Sequence, residues 1–320
     1  MNDGRSPPLG ADADESHAIA SLVRACGGAG TEVPVGIGDD AAVLPDGSVV
    51  TVDTMVEGTH WDARLAPADV GWKLVAVNVS DIAAMGARPT WAVIALTVPA
   101  PMDRAWVDDF ARGVGEACAA FGVVLVGGDT TRGATRTLSL TMGGRPAGAP
   151  VLRSGGQPGD DVWVSGILGR AAEAMLSDTP SREALAHLRR PVPPLAFASA
   201  LGAAGCVHAM MDLSDGLRAD LARLCAASGV GARIDAGALP GCGPLAWRTS
   251  YGEDYELLFT APQSARDAIA SFAVMHSTLV HLIGSLSAEP DVALDGHPAA
   301  PAWPAPRFTH FGAPCAEGAV

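Results

Sequence analysis

The chain has 320 residues, 48% hydrophobic and only 18% charged, enough apolar material for more than one core. Lys and Arg total 21 against 35 Asp and Glu, a formal net charge of −14 at pH 7. That balance argues against a general nucleic-acid binder or a protein held on anionic lipid, because both draw affinity from cationic side chains.

Residues 1–16 read as a loose, acidic, proline-bearing tail, unlike a secretory leader. Residues 49–52 form a short β-branched run closed by Asp53. Residues 69–85 have helical spacing and are stopped by Gly86 and then Pro89. Residues 90–98 read as a buried strand and 103–121 as a second helix ending at Gly122. A short strand at 123–126 leads into Gly127-Gly128-Asp129. Residues 135–142 alternate polar and apolar, which predicts a strand ending the first sheet with its edge open. Six glycines and three prolines between 143 and 160 then mark a linker.

The second half restarts with strands at 161–165, 210–213, 255–260 and 277–283 and helices at 169–176 and 216–228; residues 312–320 read as a second loose tail. No solenoid-type repeat is present. The fold class expected is mixed α/β in two domains, 1–148 and 149–320. The longest strongly apolar run, 90–102, is 13 residues with two prolines, too short for a bilayer, so a cytoplasmic protein is expected.

Residue inventory narrows the chemistry. Lys73 is the one lysine, so no GxxxxGK[ST] phosphate loop exists, and a protein-kinase lysine would have to sit on a strand, which the surroundings of Lys73 do not suggest. The six cysteines (Cys26, Cys118, Cys206, Cys225, Cys242, Cys315) contain no CxxC, and the eight histidines form no HExxH. Neither a zinc site nor a disulfide framework is expected.

The aspartates carry the signal. Asp40 ends the turn Gly36-Ile37-Gly38-Asp39, Asp53 closes a strand, and Asp129 follows a glycine pair at a strand end. Asp212 and Asp215 bracket Leu213-Ser214. Strand ends are where α/β proteins place ligands. Asp39, Asp46 and Asp160 sit at turn positions and read as turn or cap residues, and Asp215 fits either a ligand or the N-cap of the helix near 216. Asp81 lies in the apolar stretch 74–83, where an unpaired carboxylate is costly; it is either a metal ligand or the ion-pair partner of Lys73 two turns earlier. Oxygen-rich clusters suit hard ions such as Mg²⁺. Gly127-Gly128 and Gly155-Gly156 would allow backbone amides to approach phosphate. From the residues alone the reading is a Mg²⁺-dependent, phosphate-handling enzyme.

Taken in order, Gly36-Ile37-Gly38-Asp39-Asp40-Ala41, Val52 to Trp61 (with Val56-Glu57-Gly58-Thr59-His60), Lys73 through Asn78-Val79-Ser80-Asp81 to Ala87, Gly127-Gly128-Asp129-Thr130-Thr131, Arg153-Ser154-Gly155, Asp212-Leu213-Ser214-Asp215-Gly216-Leu217 and Gly252-Glu253-Asp254-Tyr255-Glu256 resemble the thiamine-monophosphate kinases. These belong with aminoimidazole ribonucleotide synthetase in one ATP-binding superfamily. The likeness spans about residues 17–310. The resemblance implies a two-domain fold of that superfamily, with an N-terminal ATP-binding domain and a C-terminal α/β domain, dimerising through the N-terminal sheets. It implies transfer of the γ-phosphoryl group of ATP to thiamine monophosphate. By position, Asp40, Thr51, Val52, Asp53, Asp81, Asp129, Asp212 and Asp215 correspond to Mg²⁺ ligands. Gly128, Asp129, Arg153 and Ser214 correspond to ATP contacts, and His60, Glu253 and Phe308 to acceptor contacts.

Val52, Tyr251 and Arg307 depart from the family pattern, and Val52 could offer a metal only its carbonyl. The attacking phosphate oxygen is already ionised at neutral pH, so no general base is assigned. Alternatives are another member of the superfamily, such as aminoimidazole ribonucleotide synthetase, and a non-catalytic acidic cation-binding protein.

Overall fold

The computed structural model describes residues 13–27, 32–241, 243–295 and 303. Helix α1 (Ala13–Cys26) precedes the first sheet, built from β1 (Ala42–Val43), β2 (Val49–Val56), β3 (Ala87–Val98), β4 (Val124–Arg132) and β5 (Thr137–Pro146), with helices α2 (Pro67–Ala84) and α3 (Arg104–Phe121) between strands. Its order is β1-β2-β5-β3-β4. Every neighbouring pair is antiparallel except β3 and β4, which the α3 crossover makes parallel.

This order corrects the expected edge. The alternating strand near 135–142 is β5, and it lies inside the sheet between β2 and β3. The edge is β4, which does not stop at 126 but runs on through the glycine pair, with all nine residues exposed. Glycine makes the extension feasible: a Cβ on Gly128 would lie 2.0 Å from the Ile94 carbonyl oxygen, so any larger residue would push β4 off β3. The predicted linker also begins later, because β5 continues to Pro146.

The second half contains β6 (Asp161–Ser165), α4 (Arg170–Leu176), α5 (Arg182–Arg189), α6 (Leu195–Ala204), β7 (Ala209–Asp212), α7 (Leu217–Ser228), β8 (Gly231–Asp235), α8 (Leu245–Ser250), β9 (Leu257–Ala261), α9 (Arg266–Met275), β10 (Val280–Ser287) and β11 (Val292–Asp295). Its sheet has the order β11-β8-β10-β6-β9-β7, antiparallel throughout except for the β11–β8 pair. Both sheets with their helices make the expected mixed α/β fold.

Helix α2 joins the two halves. Fourteen of its eighteen residues are buried, with Pro67 pre-setting its first turn and Gly86, at φ +66°, ending it. One side packs on β2, β5 and α3, and the other meets β7 and α6 of the second half. Helices α4 and α5 add Ala171, Ala174, Ala184 and Leu188 to the core of the first sheet. A side chain on α2 therefore meets groups from both halves. No helix among the described residues is long and apolar enough to cross a membrane, and Cys26, Cys118, Cys206 and Cys225 are free thiols.

Candidate active site

A cavity of about 520 Å³ lies between the halves, walled by β2 and the loop after it, by α2, and by the segments after β7 and α8. Lys73, Val77 and Asp81 recur every four residues on α2 and line it together. Asp40, Asp81 and Asp212 each place a carboxylate oxygen within 4.8 Å of the others, and Asp53 lines the same cavity beside Asp81. Burial, reinforced by Asp53, Asp212 and Asp40, drives the Asp81 carboxyl well above the ordinary carboxylate range; Asp212 is raised by burial and by Asp40. Hydroxyls oppose the shift: Thr51 Oγ1 donates to Asp81 Oδ2 at 2.6 Å and Ser80 Oγ to Asp212 Oδ2 at 2.7 Å. Three crowded carboxyls, all offering oxygen, form a donor set that fits a hard divalent cation such as Mg²⁺.

The remaining predicted residues divide. Arg153 grips Asp40 through both nitrogens, Nη2 at 2.7 Å and Nε at 3.2 Å, and its amide donates to Asp39. Ser214 lines the cavity; its carbonyl accepts the Glu253 amide at 2.9 Å and lies 1.9 Å from where a Cβ on Gly252 would sit, so that position must be glycine. Asp215 also lines the cavity and is held by Arg223 at 2.5 Å. It does not cap α7: Asp220 accepts the amides of Asp215 and Gly216 instead. Val52 is exposed on the face of β2 opposite Thr51 and Asp53. Gly128 and Asp129 lie on the exposed edge β4, outside the three-acid group. Phe308 lies outside the described residues.

His60 lines the cavity. Its Nδ1 accepts the Val56 amide at 3.0 Å, which leaves Nε2 to carry the proton of the neutral ring. Beneath it Trp61 stacks on Trp106 at 5.7 Å, and Trp106 stacks on Phe110 at 5.2 Å. Lys73 does not pair with Asp81; its Nζ reaches Glu253 Oε1 at 2.8 Å. Glu253 and Tyr255 both have positive φ, +66° and +49°, so the Gly252–Glu256 segment is strained where it lines the cavity. Between them Asp254 is buried and accepts the Gly169 amide at the start of α4.

Comparison with known proteins decides the family. The thiamine-monophosphate kinase of Salmonella typhimurium is 36% identical over 312 residues, covering 88% of this chain and 94% of that protein. That of Methanopyrus kandleri is 34% identical over 285 residues, covering 84% and 90%. The chain belongs to the thiamine-monophosphate kinase family.

Its two halves match the family models for the AIR synthase related protein, N-terminal domain (residues 38–146) and C-terminal domain (157–296). The solved structure of AaThiL complexed with AMPPCP and TMP superposes with a TM-score of 0.77 at 29% identity, covering 88% of this chain and 94% of that one. The thiamine-monophosphate kinase from Stenotrophomonas maltophilia K279a gives 0.72 at 35% identity, covering 92% and 99%. The HypE–HypF complex, at 18% identity and a TM-score of 0.72 with 89% and 96% covered, shares the fold. The strained segment and its lysine partner are what sequence reading of this thiamine-monophosphate kinase family member missed. The available signal was that Lys73 is the one lysine in the chain, placed on an apolar helix.

Proposed function

We propose that this protein transfers the γ-phosphoryl group of ATP directly to thiamine monophosphate, giving thiamine diphosphate and ADP. The observation that carries the reading is the meeting of Asp40, Asp81 and Asp212 beside a cavity that His60 and Glu253 also line. Asp40, Asp53, Asp81 and Asp212 would hold Mg²⁺, with Thr51, the Val52 carbonyl, Asp129 and Asp215 completing the set by family position. Bound Mg²⁺ supplies charge neutralisation and orientation for phosphate oxygens.

The chain's own groups do the rest. His60 offers its Nε2–H and Glu253 its carboxylate to the acceptor, and Trp61 closes the apolar side. Arg153 adds positive charge next to Asp40, and Ser214 and Gly128 complete the ATP site. Phosphoryl transfer to an oxygen that is already anionic needs in-line placement more than proton removal, so no residue is assigned as a base. Phe308 remains a proposed acceptor contact.

In this reading residues 1–148 form the ATP- and Mg²⁺-binding half and residues 149–320 the C-terminal α/β half. Two copies join along the first sheet, which would bring Gly128 and Asp129 on β4 toward the shared boundary. A cytoplasmic location accords with the ATP requirement. The deciding assay is ADP release from ATP and Mg²⁺ with thiamine monophosphate present and absent. Release that depends on thiamine monophosphate, with thiamine diphosphate formed in equal amount, supports the reading; release without it, or with aminoimidazole-ribotide precursors only, overturns it.

A further inference from the structure

A second cavity, of about 820 Å³, takes Glu256 into its wall where the first takes Glu253 and Tyr255. It lies between Arg88 and Phe121 of the first half and Arg170, Leu195 and Ser277 of the second. Its volume and mixed lining are those of a small-molecule site. Nothing in the phosphoryl transfer derived above uses it.

Its charge is unusual for this acidic chain. The arginine that lines the first cavity, Arg64, is matched by Asp62, and elsewhere Arg153 is matched by Asp40, Arg190 by Asp69 and Glu116, and Arg223 by Asp215 and Asp220. Arg88 and Arg170 make no ion pair with a carboxylate among the described residues, and the Arg88 side chain donates only to Ser199 Oγ, at 3.1 Å. The Glu256 carboxyl in the same wall feels the charge of Arg170 but forms no salt bridge with it or with Arg88. It is turned onto Ser165, whose hydroxyl donates to it at 2.5 Å, and onto Gly166, where a Cβ would lie 1.8 Å from Oε1. The rim also exposes apolar surface, with Val192 66% and Leu279 58% exposed.

Backbone strain gives an independent pointer. Among the described residues three non-glycine residues have positive φ: Glu253 and Tyr255 line the first cavity, and Ser277, at +52°, lines the second. Strain of this kind gathers where ligands are held. We propose that the second cavity binds a small organic anion, a phosphate or carboxylate on an apolar body, through Arg88 and Arg170. Its occupancy is transmitted to the first cavity along Glu253–Glu256. The transmission rests on the first cavity being the acceptor site; the binding does not.

The test is calorimetric titration with phenyl phosphate and with benzoate, phenol serving as the neutral control, on protein saturated with Mg²⁺, AMPPCP and thiamine monophosphate. At least one anion is expected to bind one-to-one while phenol does not, and the tighter of the two identifies phosphate or carboxylate as the preferred head. Arg88→Gln and Arg170→Gln should each weaken binding tenfold or more while retaining the wild-type circular dichroism. Absence of binding by both anions, equal binding of phenol, or binding unchanged in both variants overturns the site. For the transmission, the bound anion should change the apparent KM for thiamine monophosphate at least threefold in the wild type and not in Arg170→Gln; an unchanged KM overturns it. A protein that releases no ADP in the kinase assay refutes the acceptor reading and leaves the calorimetric result to stand or fall by itself.

Discussion

The amino group of Lys73 sits 2.8 Å from Glu253 Oε1, an ion pair across 180 positions of sequence that ties α2 to the strained loop of the second half. Lys73 is 2% exposed and Glu253 25%, so the lysine is the partner that cannot return to water. An unpaired buried ammonium would be costly, and the pair gives the loop a reason to keep Glu253 at φ +66°. Glu253→Gln, which takes the countercharge from that ammonium, is therefore expected to destabilise the fold by about 3 kcal/mol, the low end for breaking a buried pair, since an amide oxygen can still accept from Lys73. It should also raise the KM for thiamine monophosphate severalfold with little effect on that for ATP. The double variant Lys73→Met/Glu253→Gln should recover much of the melting temperature but not the KM. Recovery of both would show the pair to be structural only.

Much of α2 is legible in the sequence, because an apolar run with Pro67 before it and Gly86 after it has few other solutions. The acids at Asp40, Asp81 and Asp212 are legible as carboxylates out of place. Their meeting is not, since it depends on α2 serving two sheets at once. The pairing of Lys73 is misread for the same reason. Lys73 and Asp81 share a helix face, but the nearer carboxylate comes from the other half of the chain. Helix α6 escapes pattern reading because its ten residues, Leu195–Ala204, are almost uniformly small or apolar and show no polar face. The β4 edge escapes because a glycine pair reads as a turn until β3 is seen close beside it.

His60 tests the acceptor assignment separately from the metal. Its Nδ1 accepts the Val56 amide, which fixes the ring where it lines the cavity. His60→Ala should raise the KM for thiamine monophosphate about tenfold, the weight of one hydrogen bond to a charged group, and leave the ATP KM within twofold. Steady-state kinetics with each substrate varied in turn decides this. Loss of ATP affinity alone would remove His60 from the acceptor site.

The edge β4 offers nine exposed residues, Val124 and Val126 each 61% exposed, on a strand whose outer backbone groups lack a neighbour among the described residues. An open edge of that length, apolar at Val124, Leu125 and Val126, is an aggregation hazard unless it is covered. Light scattering at micromolar concentration should give twice the chain mass. Val124→Lys/Val126→Lys, placing two like charges at the edge, should shift the population to monomer. A monomeric wild type would refute the dimer.

Glu256 sets a pH dependence of stability. Burial raises its carboxyl from 4.5 to about 7, against the Ser165 hydrogen bond and the Arg170 charge. The native state thus holds a proton that the unfolded chain releases near pH 4.5. Stability from this group is full below that pH and is lost as pH rises through about 7. Glu256→Gln keeps an acceptor for Ser165 and removes the titration. It should flatten the fall in melting temperature between pH 5 and 8 and stabilise the protein at pH 8 by up to about 3 kcal/mol. Parallel melting profiles for variant and wild type over that range would show that Glu256 is ionised throughout.

The acid cluster gives the sharpest test, because its charges oppose folding when nothing is bound. Two carboxylates about 4 Å apart repel by roughly 4 kcal/mol at an effective dielectric of 20, and burial keeps Asp81 and Asp212 well above their usual range. Asp81→Asn removes one charge at almost constant volume, and its amide can still accept the Thr51 hydroxyl. The metal-free variant should therefore melt at or slightly above the wild-type temperature. Wild-type protein should gain about 2.7 kcal/mol from Mg²⁺ and ATP at a hundred times Kd, an upshift of a few degrees, most of which Asp81→Asn should lose together with kinase activity. Differential scanning fluorimetry with and without Mg²⁺ and nucleotide reads both effects. A variant that melts well below wild type without metal, yet still makes thiamine diphosphate, would mean that Asp81 is held for the fold through Thr51 and takes no part in binding the metal.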